Sequence, residues 1–310
     1  MRPKDILVVL DGTRQSAVSL RVAVALARRH GARIEGLCPL GLLAARDPPF
    51  DVLRGEVTPL GPPSVGGIYA PPIAPPEPAV PAPDSPPERA ERIGEAFREE
   101  LGRSGLDGSY DSAVGRPGEA VAARARKSDL IVLGQPEPGQ TAATAHRHMV
   151  EDVLLTAGRP VLIVPFAGEF ETVGANVLIG WRESPEAARA AHDALALVEA
   201  GAKLTLLTVR HGPIPAERTE LPGAGMARHL ARHGVKTASD EAVAEASTPA
   251  SFVVRPAVTE TDVLLNYASD VGADLLVVGA YGHSRMRELV LGGVTRGLLG
   301  HMTLPVLMSH

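Results

Sequence analysis

Two stretches of this chain have nearly the same sequence: residues 128–134 read Ser-Asp-Leu-Ile-Val-Leu-Gly, and residues 273–279 read Ala-Asp-Leu-Leu-Val-Val-Gly. Both are short apolar runs that end in glycine, as expected for a strand covered on both faces of a parallel sheet. The same separation of 145 residues places Arg-Pro-Val-Leu at 159–162 over Leu-Pro-Val-Leu at 304–307 without a gap. The chain is therefore predicted to contain an internal repeat.

Strands and helices alternate in both copies of the repeat. They are predicted, in chain order, at residues 6–10, 16–29, 33–38, 177–181, 185–200 and 203–209, in addition to the strands named above. Alternating β and α elements with Val-rich strands predict an α/β fold, a parallel sheet with helices on both faces. We therefore predict two tandem α/β domains, at residues 1–168 and 172–310.

The first copy is 25 residues longer than the second, and the extra length lies at about residues 39–87. This segment holds 15 of the chain's 28 prolines. Proline cannot continue a helix or a central strand, so we expect an extended, partly disordered surface segment. It is either a tolerated insertion, which we favour, or a docking segment in polyproline conformation. A helix is predicted to resume at 88–101.

Composition excludes several classes of partner. A net charge of −5 gives no general attraction to nucleic acid or to an acidic membrane surface, and 3% aromatic residues argue against a base-stacking platform. No apolar stretch approaches the roughly 20 residues that a membrane helix needs. The single cysteine, Cys38, cannot form an internal disulfide and is expected to be a buried apolar residue. We therefore expect a cytoplasmic protein without nucleic-acid or membrane partners.

A glycine-rich loop follows the strand at 273–279. Two residues separate Gly279 from Gly282, and nine residues separate Gly282 from the run Gly292-Gly293-Val294-Thr295. Bare backbone of this kind, next to a helix N-terminus, can hold an anion, and Thr295 can add a hydroxyl donor. Such glycines can equally serve as turn and close-packing residues, but their place after a buried strand favours phosphate binding. The spacing matches neither the P-loop nor the dinucleotide fingerprint.

The arrangement G-x2-G-x9-G, the opening strand that ends in Asp-Gly-Thr and the terminal strand that begins Leu-Pro-Val-Leu resemble the universal stress proteins. The resemblance covers both copies outside the proline-rich segment. It implies five-stranded parallel sheets of order 3-2-1-4-5 and dimers or tandem fusions. It also implies ATP as the ligand of many members, with Mg²⁺ as a companion ion. The family's roles are in stress resistance and signalling, usually without established catalysis.

In the second copy, the resemblance assigns Gly279, Gly282 and Gly292 to the phosphate loop. Gly293 stands where the family has Ser or Thr, Arg182 replaces the family's aspartate, and Val209 ends the strand that offers backbone to adenine. The predicted nucleotide-binding residues are Arg182, Val209, Gly279, Gly282, His283, Ser284, Arg285, Gly292, Gly293, Val294 and Thr295.

The first copy retains the aspartate, as Asp11, but lacks the glycines. The 145-residue offset places Pro136 and Glu137 opposite Tyr281 and Gly282, and Arg147-His148 opposite the second glycine pair. Proline removes a donor and Glu137 repels phosphate. We therefore expect ATP in the second domain only.

No catalytic residue is predicted, because His283 and Ser284 have no identifiable acid partner. The leading hypothesis is a nucleotide-binding stress or signalling protein that acts through conformation and partners. The alternatives are an interaction module that binds no nucleotide and a slow ATPase.

The remaining histidines and the terminal strands give two further expectations. His146 and His148, and His229 and His233, could form metal pairs, but without a visible third ligand we expect them to be solvated and predict no metal site. Strands at 161–164 and 306–308 have apolar edges, which are normally paired. We expect them to pair with each other as an intramolecular pseudo-dimer, while dimerisation of whole chains stays open.

Overall fold

The computed structural model describes residues 2–44, 85–137, 139, 142–211, 223–244, 259–281 and 293–310. Most of the proline-rich segment at 39–87 lies outside these residues. Its two described ends are helical, at Leu40–Ala44 and at the start of Pro86–Ser104. The expectation of an extended chain is therefore wrong at these ends: residues 40–44 contain no proline, and Pro86 and Pro87 lie in the first turn of a helix, where proline is tolerated.

The strands are β1 (Asp5–Val9), β2 (Arg33–Pro39), β3 (Gly108–Ala113), β4 (Leu130–Gly134), β5 (Val161–Val164), β6 (Asn176–Gly180), β7 (Lys203–His211), β8 (Lys236–Ala244), β9 (Leu275–Gly279) and β10 (Val306–Ser309). The helices are α1 (Arg14–His30), α2 (Leu40–Ala44), α3 (Pro86–Ser104), α4 (Pro117–Ala125), α5 (Ala143–Thr156), α6 (Pro185–Ala194), α7 (Ala224–Ala231), α8 (Glu260–Asp270) and α9 (Gly293–His301). Among the described residues, no helix is both long enough and apolar enough to cross a membrane.

All ten strands form one sheet, in the order β3-β2-β1-β4-β5-β10-β9-β6-β7-β8. Each group of five has the order 3-2-1-4-5 with parallel neighbours, which confirms the predicted fold class. We call β1–β5 the first half-sheet and β6–β10 the second half-sheet. They join through an antiparallel pair, β5 with β10, in which Leu162 faces Leu307. Because the half-sheets run in opposite directions, their carboxyl ends lie at opposite edges of the sheet.

Both faces of the sheet are buried under helices. Along β1, Ile6 and Val8 pack into one apolar core, and Leu7 and Val9 pack into another on the opposite face. A fully buried aliphatic side chain contributes about 1.5–3 kcal/mol relative to an exposed one, which explains why the strands are near-continuous apolar runs. Cys38 is fully buried, as the sequence indicates.

The helices that follow β1 and β6 begin in the same way. Thr13 accepts a hydrogen bond from the N–H of Ser16, and Ser184 accepts one from the N–H of Ala187, so each caps its helix. Helix α6 ends at Ala194, although the sequence predicts a helix over 185–200. Three residues beyond this end, the carbonyl oxygen of Leu197 accepts a hydrogen bond from the guanidinium group of Arg29 in α1.

Candidate functional site

The carboxyl ends of β6, β7 and β9 meet at one edge of the second half-sheet. Gly180 of β6 is in register with Leu207 of β7 and with Val278 of β9. Two residues further along, Arg182, Val209 and Ala280 therefore reach the same level, one residue beyond Gly279. The fold brings the predicted residues Arg182, Val209 and Gly279 together at an edge where open parallel sheets bind ligands.

The loop after Tyr281 is described only where it ends. The predicted residues Gly282, His283, Ser284, Arg285 and Gly292 lie outside the described residues. Gly293 begins α9 and is exposed, and a Cβ added there would meet no atom of the described residues within 4 Å. Val294 is half-buried and Thr295 is buried in the first turn of α9. This helix thus begins with open backbone and a nearby hydroxyl group.

Gly279 has a structural role that the sequence did not reveal. A Cβ added there would lie 2.6 Å from the backbone nitrogen of Ala187 and 2.9 Å from the Cβ of Glu186. The first turn of α6 therefore packs directly against the end of β9, and only glycine leaves room for it. The described contacts therefore explain Gly279 by the close packing of a helix on a strand, and not by access for a ligand.

That packing also buries Glu186, which is 7% exposed. The residue was overlooked in the sequence because an acidic side chain in the first turn of a helix is normally a solvated group that favours the helix dipole. Gln15 occupies the matching position in α1, so the repeat itself was the signal that could have identified it. Glu186 places a carboxyl group beside the edge that the predicted phosphates would approach.

Arg182 lies on the surface and pairs with Glu260, the first residue of α8. Its Nη2 lies 3.1 Å from each carboxylate oxygen of Glu260. The equivalent Asp11 is buried and accepts hydrogen bonds from the N–H and the hydroxyl group of Thr13. The two edges therefore present different charges, a buried carboxylate in one and an exposed ion pair in the other.

Tyr281 connects this edge to the first half-sheet. It has a left-handed backbone (φ 58°), and its ring packs edge-on against His310 with centroids 5.7 Å apart. Burial, and then the carboxyl groups of Glu151 and Asp152 on α5, raise the pKa of its phenol. Burial also raises the pKa of Glu151. The loop of the second half-sheet thus starts beside a helix of the first.

Side chains fill the equivalent edge of the first half-sheet. The Gln15 amide lies against Gly134, where any Cβ would collide with it, and its nitrogen donates to the carbonyl oxygen of Val164 at 3.0 Å. Gln135 is fully buried, and its amide donates to the carbonyl oxygen of Leu299. These contacts agree with the absence of a nucleotide there, which stays a prediction.

The histidines are not all solvated. His146 is buried, contrary to expectation, because it lies on the same face of α5 as Met149, Val150 and Val153. His148 is exposed. His229 is half-buried and His233 is exposed.

Comparisons with known proteins agree with this fold. Residues 175–310 match the model of the universal stress protein family. A universal stress protein from Synechocystis sp. is 28% identical over 183 residues, which are 58% of this chain and 57% of that protein's length. The match thus spans little more than half of that relative.

Two solved structures extend the likeness over the whole chain. The structure of a universal stress protein from Archaeoglobus fulgidus DSM 4304 has a TM-score of 0.64 at 15% identity, covering 98% of this chain and 95% of the other. A protein of unknown function from Pseudomonas aeruginosa PAO1 has a TM-score of 0.55 at 11% identity, covering 99% and 92%. These likenesses concern the fold alone. Residues 175–310 therefore match the universal stress protein family, and the chain as a whole has the fold of a solved universal stress protein.

Proposed function

We propose that the second half-sheet binds an adenine nucleotide at the carboxyl edge of β6, β7 and β9, and that the protein acts in stress response or signalling through conformation and partners. The observation that carries the proposal is the register that pairs Gly180 with Leu207 and Val278, because it directs the following Arg182, Val209 and Ala280 to one edge. The exposed Gly293 at the start of α9 adds support. In this arrangement the backbone of Val209 faces the base, and the first turn of α9 receives the phosphates.

The described residues fit the phosphates of ATP at the start of α9. Backbone N–H groups at a helix N-terminus favour an anion, and Gly293 places no side chain in their way. Mg²⁺ bound with ATP would supply positive charge that offsets the phosphates beside Glu186. Arg182 reaches a phosphate only after it leaves Glu260, an exposed ion pair that is worth about 0–1 kcal/mol.

The asymmetry between the two edges supports binding in the second half-sheet alone. Gln15 and Gln135 occupy the first edge with hydrogen-bonded amides. In the second half-sheet, the chain leaves the end of β9 through Tyr281 and returns at an exposed Gly293. We therefore expect at most one nucleotide per chain.

Two observations favour the alternative of an interaction module without nucleotide. The buried carboxyl group of Glu186 beside Gly279 opposes a polyphosphate, and the ion pair with Glu260 already occupies Arg182. A slow ATPase is the third function to be distinguished, and it differs from the first only in releasing phosphate.

The test is the nucleotide content of freshly purified protein, followed by calorimetric titration with ATP and Mg²⁺. Gly293→Glu adds a charge at the phosphate position without a steric cost, and Gly300→Glu is its matched control because it is also exposed with open space around it. We expect the first variant to weaken ATP binding at least ~10-fold, because the repulsion between the introduced carboxylate and each nearby phosphate charge costs about 1 kcal/mol or more. The control should bind ATP as the wild type does. Absence of binding at millimolar ATP would leave the interaction module, and phosphate release lost in Gly293→Glu would favour the ATPase.

A further inference from the structure

Three imidazole rings meet where α6 lies beside α7. His192 belongs to the last turn of α6, His229 belongs to α7, and His233 follows four residues later in the turn that ends the helix. The ring centroids are 5.0 Å apart for His192 and His229, 5.1 Å for His229 and His233, and 6.1 Å for His192 and His233. We call these three residues the histidine cluster. It supplies the third imidazole that the sequence alone does not place beside His229 and His233.

The spacing of the rings suits a common metal ion. With metal–nitrogen bonds of about 2.0 Å and tetrahedral angles, the centroids of two imidazole ligands lie about 5 Å apart. The rings now stand edge to face, at 63°, 67° and 88°. As the side chains stand, no three His, Cys, Asp or Glu donors of the described residues converge on one point. Convergence in the cluster therefore requires the rings to turn about their side-chain bonds.

One ring nitrogen of the cluster has an unmet hydrogen-bonding capacity. Nε2 of His229 is buried and has no hydrogen-bond partner among the described residues. Its Nδ1 lies 3.4 Å from Nη2 of Arg232. A buried polar atom without a partner is unfavourable, and a metal ion bound there would satisfy it. Arg232 opposes a cation, and because an arginine can only donate, its contact with Nδ1 leaves the proton on Nε2. Binding at Nε2 therefore needs the proton on Nδ1 and the exposed Arg232 turned into solvent.

Access also favours a metal ion. His192 and His233 are exposed, so a metal ion can enter from solvent and keep a water molecule in its fourth position.

We propose that His192, His229 and His233 form a site for a borderline transition-metal ion, with Zn²⁺ as the representative, that ties α6 to α7. Three imidazoles and one open position are a ligand set that Zn²⁺ and its neighbours in the first transition row accept, and Mg²⁺ does not. The site is separate from the edge that holds Arg182, Val209 and Gly279.

The test is calorimetric titration of the full chain, without an affinity tag, with Zn²⁺ and with Mg²⁺ at pH 7.5. We expect one Zn²⁺ per chain and no Mg²⁺ at this site. His192→Ala, His229→Ala and His233→Ala should each weaken Zn²⁺ binding at least ~10-fold, because loss of even an outer partner of a metal ligand costs about 10–100-fold. His148→Ala and His301→Ala, at exposed positions elsewhere, are the matched controls and should leave it unchanged.

His192→Ala is the decisive variant, because His229 and His233, four residues apart, can bind a metal ion weakly even when His192 is absent. If His192→Ala binds Zn²⁺ as tightly as the wild type, the three-histidine site is wrong. Absence of Zn²⁺ binding at submillimolar concentration overturns the proposal as well. As a second measurement, Co²⁺ should give the visible absorption of a four-coordinate site in the wild type, and this absorption should be lost in His192→Ala.

Discussion

Arg182 and Glu260 form an ion pair in which one guanidinium nitrogen lies 3.1 Å from both carboxylate oxygens. The pair spans from the end of β6 to the first residue of α8. It occupies the position where the other repeat has the buried Asp11. The nucleotide proposal requires that Arg182 can leave this partner.

Glu260→Gln should release Arg182 for a bound phosphate and tighten ATP binding several-fold. The free energy of unfolding should fall by no more than about 1 kcal/mol, because the pair is largely exposed on the arginine side and Glu260 also contributes to the start of α8. Calorimetry with ATP and urea denaturation measure the two effects. Unchanged ATP affinity in Glu260→Gln, with wild-type binding in Arg182→Ala, would exclude Arg182 from the site.

Gly279→Ala should lower the free energy of unfolding by about 1–3 kcal/mol, since its Cβ would overlap backbone atoms of α6 that cannot rotate away. Gly300→Ala is the control: it is exposed with open space around it, and alanine in a helix should stabilise by about 0.5–1 kcal/mol. Urea denaturation of the two variants checks the prediction. Equal stabilities would mean that α6 does not pack on β9 as described.

Asp274 holds the entry to the second half-sheet. Its carboxylate accepts hydrogen bonds at 3.0 Å from the backbone N–H groups of Gly174, Ala175 and Asn176. Asp129, its repeat partner, accepts from Lys4 and Asp5. Because hydrogen bonds to a charged group contribute about 1.5–3 kcal/mol, Asp274→Ala should destabilise by about 3 kcal/mol or more. Asp129→Ala loses fewer bonds and should cost less in the same denaturation assay, and the reverse order would contradict this assignment.

His30 should make stability depend on pH. Burial, and then Arg29, Arg2 and Lys4, lower its pKa from 6.5 to about 4, while Glu199 acts in the opposite direction. The folded protein therefore binds this proton less readily than the unfolded chain does. Its contribution is fully present above pH 6.5 and is lost as the pH falls from 6.5 towards 4.

The measurement is urea denaturation at pH 7.5 and pH 5, for the wild type and for His30→Gln. Allowing for solvent screening, the wild type should lose about 1 kcal/mol more than the variant between the two values. Equal losses in the two proteins would show that His30 does not titrate differently in the folded and unfolded states.

The strands of the sheet could be predicted because each is a short apolar run and because the same runs occur in both copies of the repeat. The apolar runs at 128–134 and 273–279 correspond to β4 and β9, and the 145-residue offset places β5 and β10 as equivalent strands. The pairing of those strands followed from their exposed apolar edges. The resemblance assigned Arg182 and Val209 to one site, and they come to the same edge because the carboxyl ends of parallel strands meet there.

Contacts between helices could not be predicted from the sequence. His192 meets His229 only because α6 lies beside α7, and no periodic pattern encodes that neighbour. Glu186 is buried by the close approach of α6 to β9, although its position in the chain is typical of a solvated acid. The sequence predicts a solvated His146 because no third metal ligand is visible beside it, whereas the helix turns it towards the apolar face of α5. In each case, packing between distant elements decides the environment.

The antiparallel pairing of β5 and β10 joins, within one chain, two half-sheets that could otherwise form a symmetric pair of subunits. In a pair of identical subunits, any substitution alters both sites at once, so neither can be lost without losing the other. Here different residues of one chain form the carboxyl edges of the two half-sheets, so one edge can be filled by glutamine amides while the other keeps an open backbone. The shared strand pair thus preserves the architecture of a dimer while it allows the two edges to evolve towards different tasks.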